Sequence, residues 1–291
     1  MNFFSTLPRA DRDPIFAVAA EAKAAGPDIL NGSIGIIPGE AAQPFVLESV
    51  RKAAKEWFAM TERDGFSYPS LLGVPAFRSS VTRLIFGDSE GIASAAATGG
   101  TGALSLNLEL LKLLGVRRIV TPVPSWPNHR QLIAGHDLEL EEVSYLHDNK
   151  PVIEPLLNFI AGCKTESLGI LLQASGHNPT GKSWSDDQWC AIASALKGTK
   201  HAVLLDIAYQ GLCRGVSEDV SAVKIFREAG VPLFVSWSAS KNHTIYALRT
   251  GIACAVAPTK EVQAEIEAHY MILLRQMHSA APTSGQSIVA L

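Results

Sequence analysis

Cysteine is scarce: the chain has four, Cys163, Cys190, Cys213 and Cys254, far apart and without C-x-x-C spacing. That pattern gives no basis for a disulfide framework and leaves metal ligation a remote alternative. The thiols read as reduced and mostly packed, as in a cytoplasmic protein. An excess of either charge is also missing. Lysine and arginine number 25 against 28 aspartates and glutamates, and basic pairs such as Arg117-Arg118 are scattered, so nothing marks a nucleic-acid surface. No apolar run reaches the roughly 18–20 residues that a membrane span requires. The stretch Met1 to Arg9 lacks the basic start and apolar block of a secretion signal. Internal repeats, low-complexity tracts and linkers are absent from the sequence as well.

What the chain does have is apolar bulk. With 47% hydrophobic and 18% charged residues in 291, it can bury the core of one large domain with a smaller lobe. Asp13-Pro14 reads as the N-cap and first residue of an alanine-rich helix that stops near Gly26. Further helices are expected over about residues 45–58 and 74–86, the former after the Gly/Pro-rich tract Ile34-Gly35-Ile36-Ile37-Pro38-Gly39. From Ala93 onward short apolar runs alternate with helical stretches. Residues 118–121, 169–173, 202–206, 232–237 and 251–257 read as buried strands, with helices over 104–114, 186–196, 222–229 and 260–277. Strands buried on both faces and joined by helices indicate an α/β protein with a mainly parallel sheet. After Ala281-Pro282-Thr283-Ser284-Gly285 the last residues read as the first turn of another helix.

Open parallel sheets bind ligands at the C-terminal ends of their strands, so the candidate chemistry lies there. Ala97-Thr98-Gly99-Gly100-Thr101-Gly102-Ala103-Leu104 is a Gly-rich turn opening a helix: either a plain turn or an anion site made of backbone N–H groups. It is not a P-loop, since no Gly-Lys-Ser/Thr follows. Ser125-Trp126-Pro127-Asn128-His129 offers a tryptophan that packs in the core or stacks on a ring. His129 is either a packing residue or the support of a buried carboxylate. His177-Asn178-Pro179-Thr180-Gly181 is turn chemistry that also places an amide donor. Asp206 closes an apolar strand, as an N-cap or as a functional carboxylate, and Tyr209 follows three residues on.

The densest signal is Ser236-Trp237-Ser238-Ala239-Ser240-Lys241-Asn242, followed by Arg249 and Gly251. A loop lysine is usually a solvated charge. Here an apolar run precedes it, and Ser238, Ser240 and Arg249 suit phosphate capture. A lysine that can form an imine with an aldehyde, beside a phosphate-holding set, is what pyridoxal 5'-phosphate (PLP) needs; a carboxylate such as Asp206 would keep its pyridine nitrogen protonated.

Gly99-Gly100-Thr101-Gly102-Ala103-Leu104, Pro124-Ser125-Trp126-Pro127-Asn128-His129, His177-Asn178-Pro179-Thr180-Gly181, Asp206 with Ala208-Tyr209-Gln210-Gly211, and Ser240-Lys241-Asn242 with Arg249 and Gly251 stand in one order. In these motifs the chain resembles the aspartate/aromatic aminotransferases over essentially its whole length. The resemblance implies the three-layer α/β PLP-transferase fold of type I. Residues 1–44 would be an N-terminal arm and part of the small domain, and 45–291 the large PLP-binding domain. It implies Lys241 as the imine-forming lysine that later shuttles the α-proton, and Asp206 on the pyridine nitrogen, braced by His129. Asn178 and Tyr209 would bind the ring oxygen and Trp126 would stack on the ring. Gly100, Thr101, Ser238 and Arg249 would hold the phosphate. Tyr68 would reach the phosphate of a neighbouring subunit, which implies a homodimer with shared sites. Gly35 would contact the substrate through its backbone, and Arg275 would cross the interface to bind a side-chain carboxylate. The implied reaction passes an amino group between an amino acid, acidic or aromatic, and a 2-oxo acid.

Two features depart from the family pattern. Gln173 stands where many members carry a histidine near the cofactor, which alters polarity beside the ring. The family also continues well past the point matching Leu291, through most of the small domain and the arginine that grips the substrate α-carboxylate. On that ground impaired turnover is expected. A non-catalytic PLP-binding fragment and a PLP decarboxylase or lyase of the same fold are the rival readings.

Overall fold

Seven strands form the central sheet of the computed structural model, which describes residues 3–7, 14–26, 28–29, 31–32, 35–37, 39, 45–64, 66–163 and 165–291. The chain divides into two units, Met1–Phe45 and Val46–Leu291. The first holds a 3-10 turn (Phe3–Thr6) and helix α1 (Pro14–Ala24). Asp13, read above as the cap of α1, lies outside the described residues, as do Ile34 and Pro38.

The second unit opens with α2 (Glu48–Asp64) and α3 (Pro75–Phe86). Strand β1 (Ile92–Thr98) runs directly into α4 (Gly99–Leu113), and β2 (Arg118–Val123) is followed by α5 (Pro127–Gly135) and β3 (Glu139–Ser144). A small antiparallel ladder of β4 (Leu146–His147) and β5 (Lys150–Pro151) leads to α6 (Glu154–Gly162). Then come β6 (Leu168–Gln173), α7 (Asp186–Leu196), β7 (Ala202–Ile207), α8 (Ser221–Ala229), β8 (Leu233–Ser238) and β9 (Thr250–Val256). Helices α9 (Lys260–Met277) and α10 (Thr283–Ala290) close the chain.

The sheet order is β1-β9-β8-β7-β6-β2-β3. Only β9 runs against its neighbours; the remaining pairings are parallel. Strand residues alternate between two apolar layers, as the two-residue side-chain period requires. Val203, Leu205 and Ile207 of β7 join Leu233, Val235 and Trp237 of β8 in the layer covered by α3, α6, α7 and α8. Leu204, Phe234, Ala253 and Ala255 face the other layer with Leu104, Leu108 and Leu111 of α4 and Tyr270 and Leu274 of α9. The result is a three-layer α/β architecture.

Strand β1 was unread in the sequence, as were edge strand β3 and helices α5 and α6. Helix α2 starts three residues later than expected and extends to Asp64, and α4 begins at Gly99, so its glycines lie inside the first turn. Helix α7 carries a reciprocal capping box between Ser185 and Gln188.

Two buried contacts fix the helices on the sheet. Asn107 of α4 donates from Nδ2 to the Val235 carbonyl and to Ser236 Oγ, both at 2.9 Å, and accepts from the Tyr270 hydroxyl of α9 at 2.6 Å. At the β1–β9 junction a Cβ on Gly251 would fall 2.5 Å from the carbonyl carbon and oxygen of Gly99 and 2.7 Å from the Trp237 carbonyl oxygen. Backbone on both sides cannot rotate away. Gly251→Ala is therefore expected to destabilise the fold by at least ~2 kcal/mol, at the upper part of the overpacking range. A thermal or urea melt checks this, and an unchanged midpoint would contradict the packing described.

Candidate active site

The C-terminal ends of β1, β6, β7 and β8 and the start of β9 share one edge of the sheet, because Thr98 pairs with Thr250, Ser238 with Gly251, Ser236 with Asp206 and Asp206 with Gln173. At the end of β8 and the entrance of α4 the chain forms a cup of donors. A Cβ on Gly99 would lie 2.5 Å from Arg249 Nη2, and one on Gly100 3.1 Å from Ser238 Cβ. Ser238 Oγ donates to Ser240 Oγ at 3.0 Å, and Arg249 Nη1 reaches Ser240 Oγ at 3.4 Å and the Tyr246 carbonyl at 3.1 Å. Arg249 adopts φ +46°, a left-handed conformation that costs a residue with a side chain roughly 1–2 kcal/mol. The first N–H groups of an α-helix have no partner within it. Those of α4, with Thr101 in its first turn, add to two hydroxyls and a guanidinium to make an anion site.

Lys241 lies in the turn between β8 and β9, which is held by Ala239 N–H donating to the Thr250 carbonyl at 3.0 Å. Its Nζ sits 5.5 Å from the centre of the Tyr209 ring. Burial lowers the Lys241 pKa below the ordinary lysine value; the Asp206 charge opposes that shift and the Arg249 charge adds to it. The amine thus feels both a carboxylate and a guanidinium.

Asp206, buried at the end of β7, accepts at Oδ2 from His129 Nε2 at 3.0 Å. His129 Nδ1 is 2.9 Å from Ser125 Oγ, which receives a hydrogen bond from Gln173 Nε2 at 3.2 Å. Trp126 packs edge-on to His129, ring centres 5.3 Å apart. Tyr209 shares a side-chain hydrogen bond with Asn178; burial and then the Asp206 charge raise its pKa, while the Asn178 bond works against both. The loop carrying Tyr209 is rigidly anchored. Gln210 accepts from the buried Trp237 indole at 2.8 Å and donates to the Leu84 and Val216 carbonyls, and Asp219 takes three backbone N–H bonds from Gly211, Cys213 and Arg214.

The structure therefore brings together Gly100, Thr101, Ser238, Arg249, Lys241, Asp206, His129, Trp126, Asn178 and Tyr209. Two expected residues of the same unit stand outside this group. Tyr68 is fully exposed in the segment before α3. Arg275 is exposed in the last turn of α9 and donates to Ser279 Oγ at 2.7 Å. Gly35 belongs to the first unit and is exposed. Sequence reasoning missed the part played by Ser125 and Gln173 behind His129, because side-chain amide and hydroxyl pairings have no periodic signature. It also missed His177, stacked on Tyr145 at 3.9 Å; burial and then the nearby His129 push its pKa down to about 4.

The geometry defines a lysine-centred anion and carboxylate pocket on an α/β sheet, and comparison with known proteins agrees in class. The sequence model of the family described as "Aminotransferase class I and II" matches residues 27–291. The chain belongs to that family of aminotransferases. It is 31% identical to an aspartate aminotransferase of Pseudomonas aeruginosa, covering 100% of this chain and 75% of that enzyme. It is 30% identical to the mitochondrial aspartate aminotransferase of Schizosaccharomyces pombe, covering 98% and 67%. The structure superposes with a TM-score of 0.91 on an aromatic-amino-acid aminotransferase from Burkholderia pseudomallei described as covalently bound to pyridoxal phosphate. That match has 30% identity and covers 100% of this chain and 74% of that one.

The electrostatics give a signed expectation for Lys241. Asp206→Asn removes the influence that raises its pKa, so the pH at which the amine becomes reactive should fall; Arg249→Ala removes a lowering influence and should raise it. The pH profile of Lys241 acylation, read by mass spectrometry of the labelled peptide, checks both. Shifts of the same sign in the two variants would contradict this arrangement.

Proposed function

We propose that this chain binds PLP in the pocket around Lys241 and transfers an amino group between an amino acid and a 2-oxo acid. One observation carries the reading: the half-buried Lys241 amine feels both the His129-braced carboxylate of Asp206 and the guanidinium of Arg249, which belongs to a cup of donors at the entrance of α4. The residues fit the cofactor. Arg249 and Ser238 approach the start of α4 this closely because Gly99 and Gly100 lack side chains, and these donors are of the kind that take a phosphate.

When bound, PLP supplies an aldehyde that takes up amino groups and a ring that draws electrons from the bond being broken. Arg249, Ser238 and the N–H groups at Gly100 and Thr101 would hold its phosphate. Asp206 would hold a proton at the ring nitrogen, and Asn178 and Tyr209 would hydrogen-bond the ring oxygen. Trp126 supplies an aromatic face and excludes water. Lys241, its pKa lowered mainly by burial, offers a neutral amine more readily than a surface lysine and serves as the base that moves the proton at the substrate Cα. Acidic substrates are favoured, with Arg275 as the carboxylate-binding residue and aromatic amino acids as further substrates; the named relatives include enzymes of both kinds. A homodimer follows from the same reading, with the fully exposed Tyr68 reaching a partner's phosphate site.

Titration with PLP should produce a visible imine absorbance that Lys241→Ala abolishes. Arg249→Ala should weaken PLP affinity about tenfold to hundredfold, the worth of a charge-assisted hydrogen bond. An imine band that persists unchanged in Lys241→Ala would defeat the reading. Coupled assays with aspartate or phenylalanine and 2-oxoglutarate then rank the substrates.

A further inference from the structure

We infer that Gln173 is a positioning residue that sets which nitrogen of His129 carries hydrogen, acting through Ser125. The orientation of its amide is fixed twice over. Gln173 Oε1 accepts from the Asn178 N–H at 2.8 Å, and Gln173 Nε2 donates to the Asn178 carbonyl at 3.0 Å. An N–H demands an acceptor and a carbonyl demands a donor, so a flipped amide would lose both bonds. The second hydrogen on Nε2 is then directed at Ser125 Oγ, 3.2 Å away.

That bond makes Ser125 an acceptor on one side. Its own hydroxyl hydrogen has His129 Nδ1, at 2.9 Å, as its acceptor. An Nδ1 that accepts carries no hydrogen, so the imidazole hydrogen resides on Nε2, facing Asp206 Oδ2 at 3.0 Å. The direction of donation then runs from amide to hydroxyl to imidazole to carboxylate, fixed at its two ends by the amide that donates to Ser125 and the carboxylate that accepts from His129. His129 thereby presents its Nε2 hydrogen to Asp206 Oδ2 and orients the carboxylate. The same amide grips both backbone groups of Asn178, whose side chain bonds Tyr209, so one residue orients the partners at two ends of the pocket. The value of this carboxylate to a ring nitrogen rests on the PLP reading; the hydrogen-bond direction itself does not.

Long-range 15N–1H NMR of the full chain near neutral pH, with and without PLP, reads the state of His129 directly, with His129→Gln used to assign its signals. The wild type should show Nδ1 in the non-protonated range and Nε2 protonated. Gln173→Glu keeps an acceptor for the Asn178 N–H but removes the donor, so Ser125 should turn toward the new carboxylate and Nδ1 should shift into the protonated range. Adding Ser125→Ala should reverse most of that shift, which a simple effect of added charge would not do. A protonated Nδ1 in the wild type would overturn the inference without any variant. So would a Gln173→Glu spectrum with Nδ1 unmoved, or a shift that survives Ser125→Ala intact. A wild type that gives no imine band with PLP would instead defeat the proposed function and leave this measurement standing.

Discussion

The close approach of Gly251 to the backbone of Gly99 is the constraint on which the site depends. Strand β9 is the one strand that runs against the rest, and it is wedged between β1 and β8. Because its first residues touch the entrance of α4 with no side chain between, three separate pieces of chain converge there: the helix N-terminus, the end of β8 and the turn holding Arg249. An ordinary parallel strand in that slot would begin at the opposite edge of the sheet and could not deliver Arg249 beside Gly99. The donor cup is thus a product of topology, and the glycines are what topology demands at the crossing.

A second organising idea is that charge is paired across the pocket rather than within it. Asp206 has the edge of a histidine, Arg249 has the Ser240 hydroxyl and the Tyr246 carbonyl, and Lys241 feels both charges from a partly desolvated position. Each opposing charge changes the proton affinity of the amine in a different direction, so the lysine is tuned by the balance of its neighbours. Nearby His177, with a pKa near 4, stays neutral at physiological pH and adds no competing positive charge behind His129.

Much of this was legible in the sequence. Strands such as Ala202–Ile207 and Leu233–Ser238 are largely apolar, and each carries a polar pocket residue at or next to its end, Asp206 in the first and Ser238 in the second. Strand β1 escaped because Ile92–Thr98 is rich in alanine, a residue that favours helices; only its place against β9 makes small residues suitable there. Strand β3, Glu139–Ser144, is charged because it is an edge, which hides the apolar signature of its neighbours. The order of the motifs was enough to gather Lys241, Asp206 and Arg249 into one pocket. The Gln173–Ser125–His129 relay was not readable, since Gln173 lies 48 residues from Ser125 and all three meet through side-chain angles that no spacing encodes.

The Tyr270–Asn107 contact has a mechanical meaning. Asn107 spends both ends of its amide in a buried setting, on α9 through Tyr270 and on β8 through Val235 and Ser236. Sliding or rotating α9 would strand a buried polar group, at a cost of about 1–3 kcal/mol. Helix α9 therefore behaves as a rigid boom pinned to the strand that leads into Lys241. Whatever Arg275 reaches from its far end, it reaches from a fixed base, and the flexibility available to it is that of its own side chain.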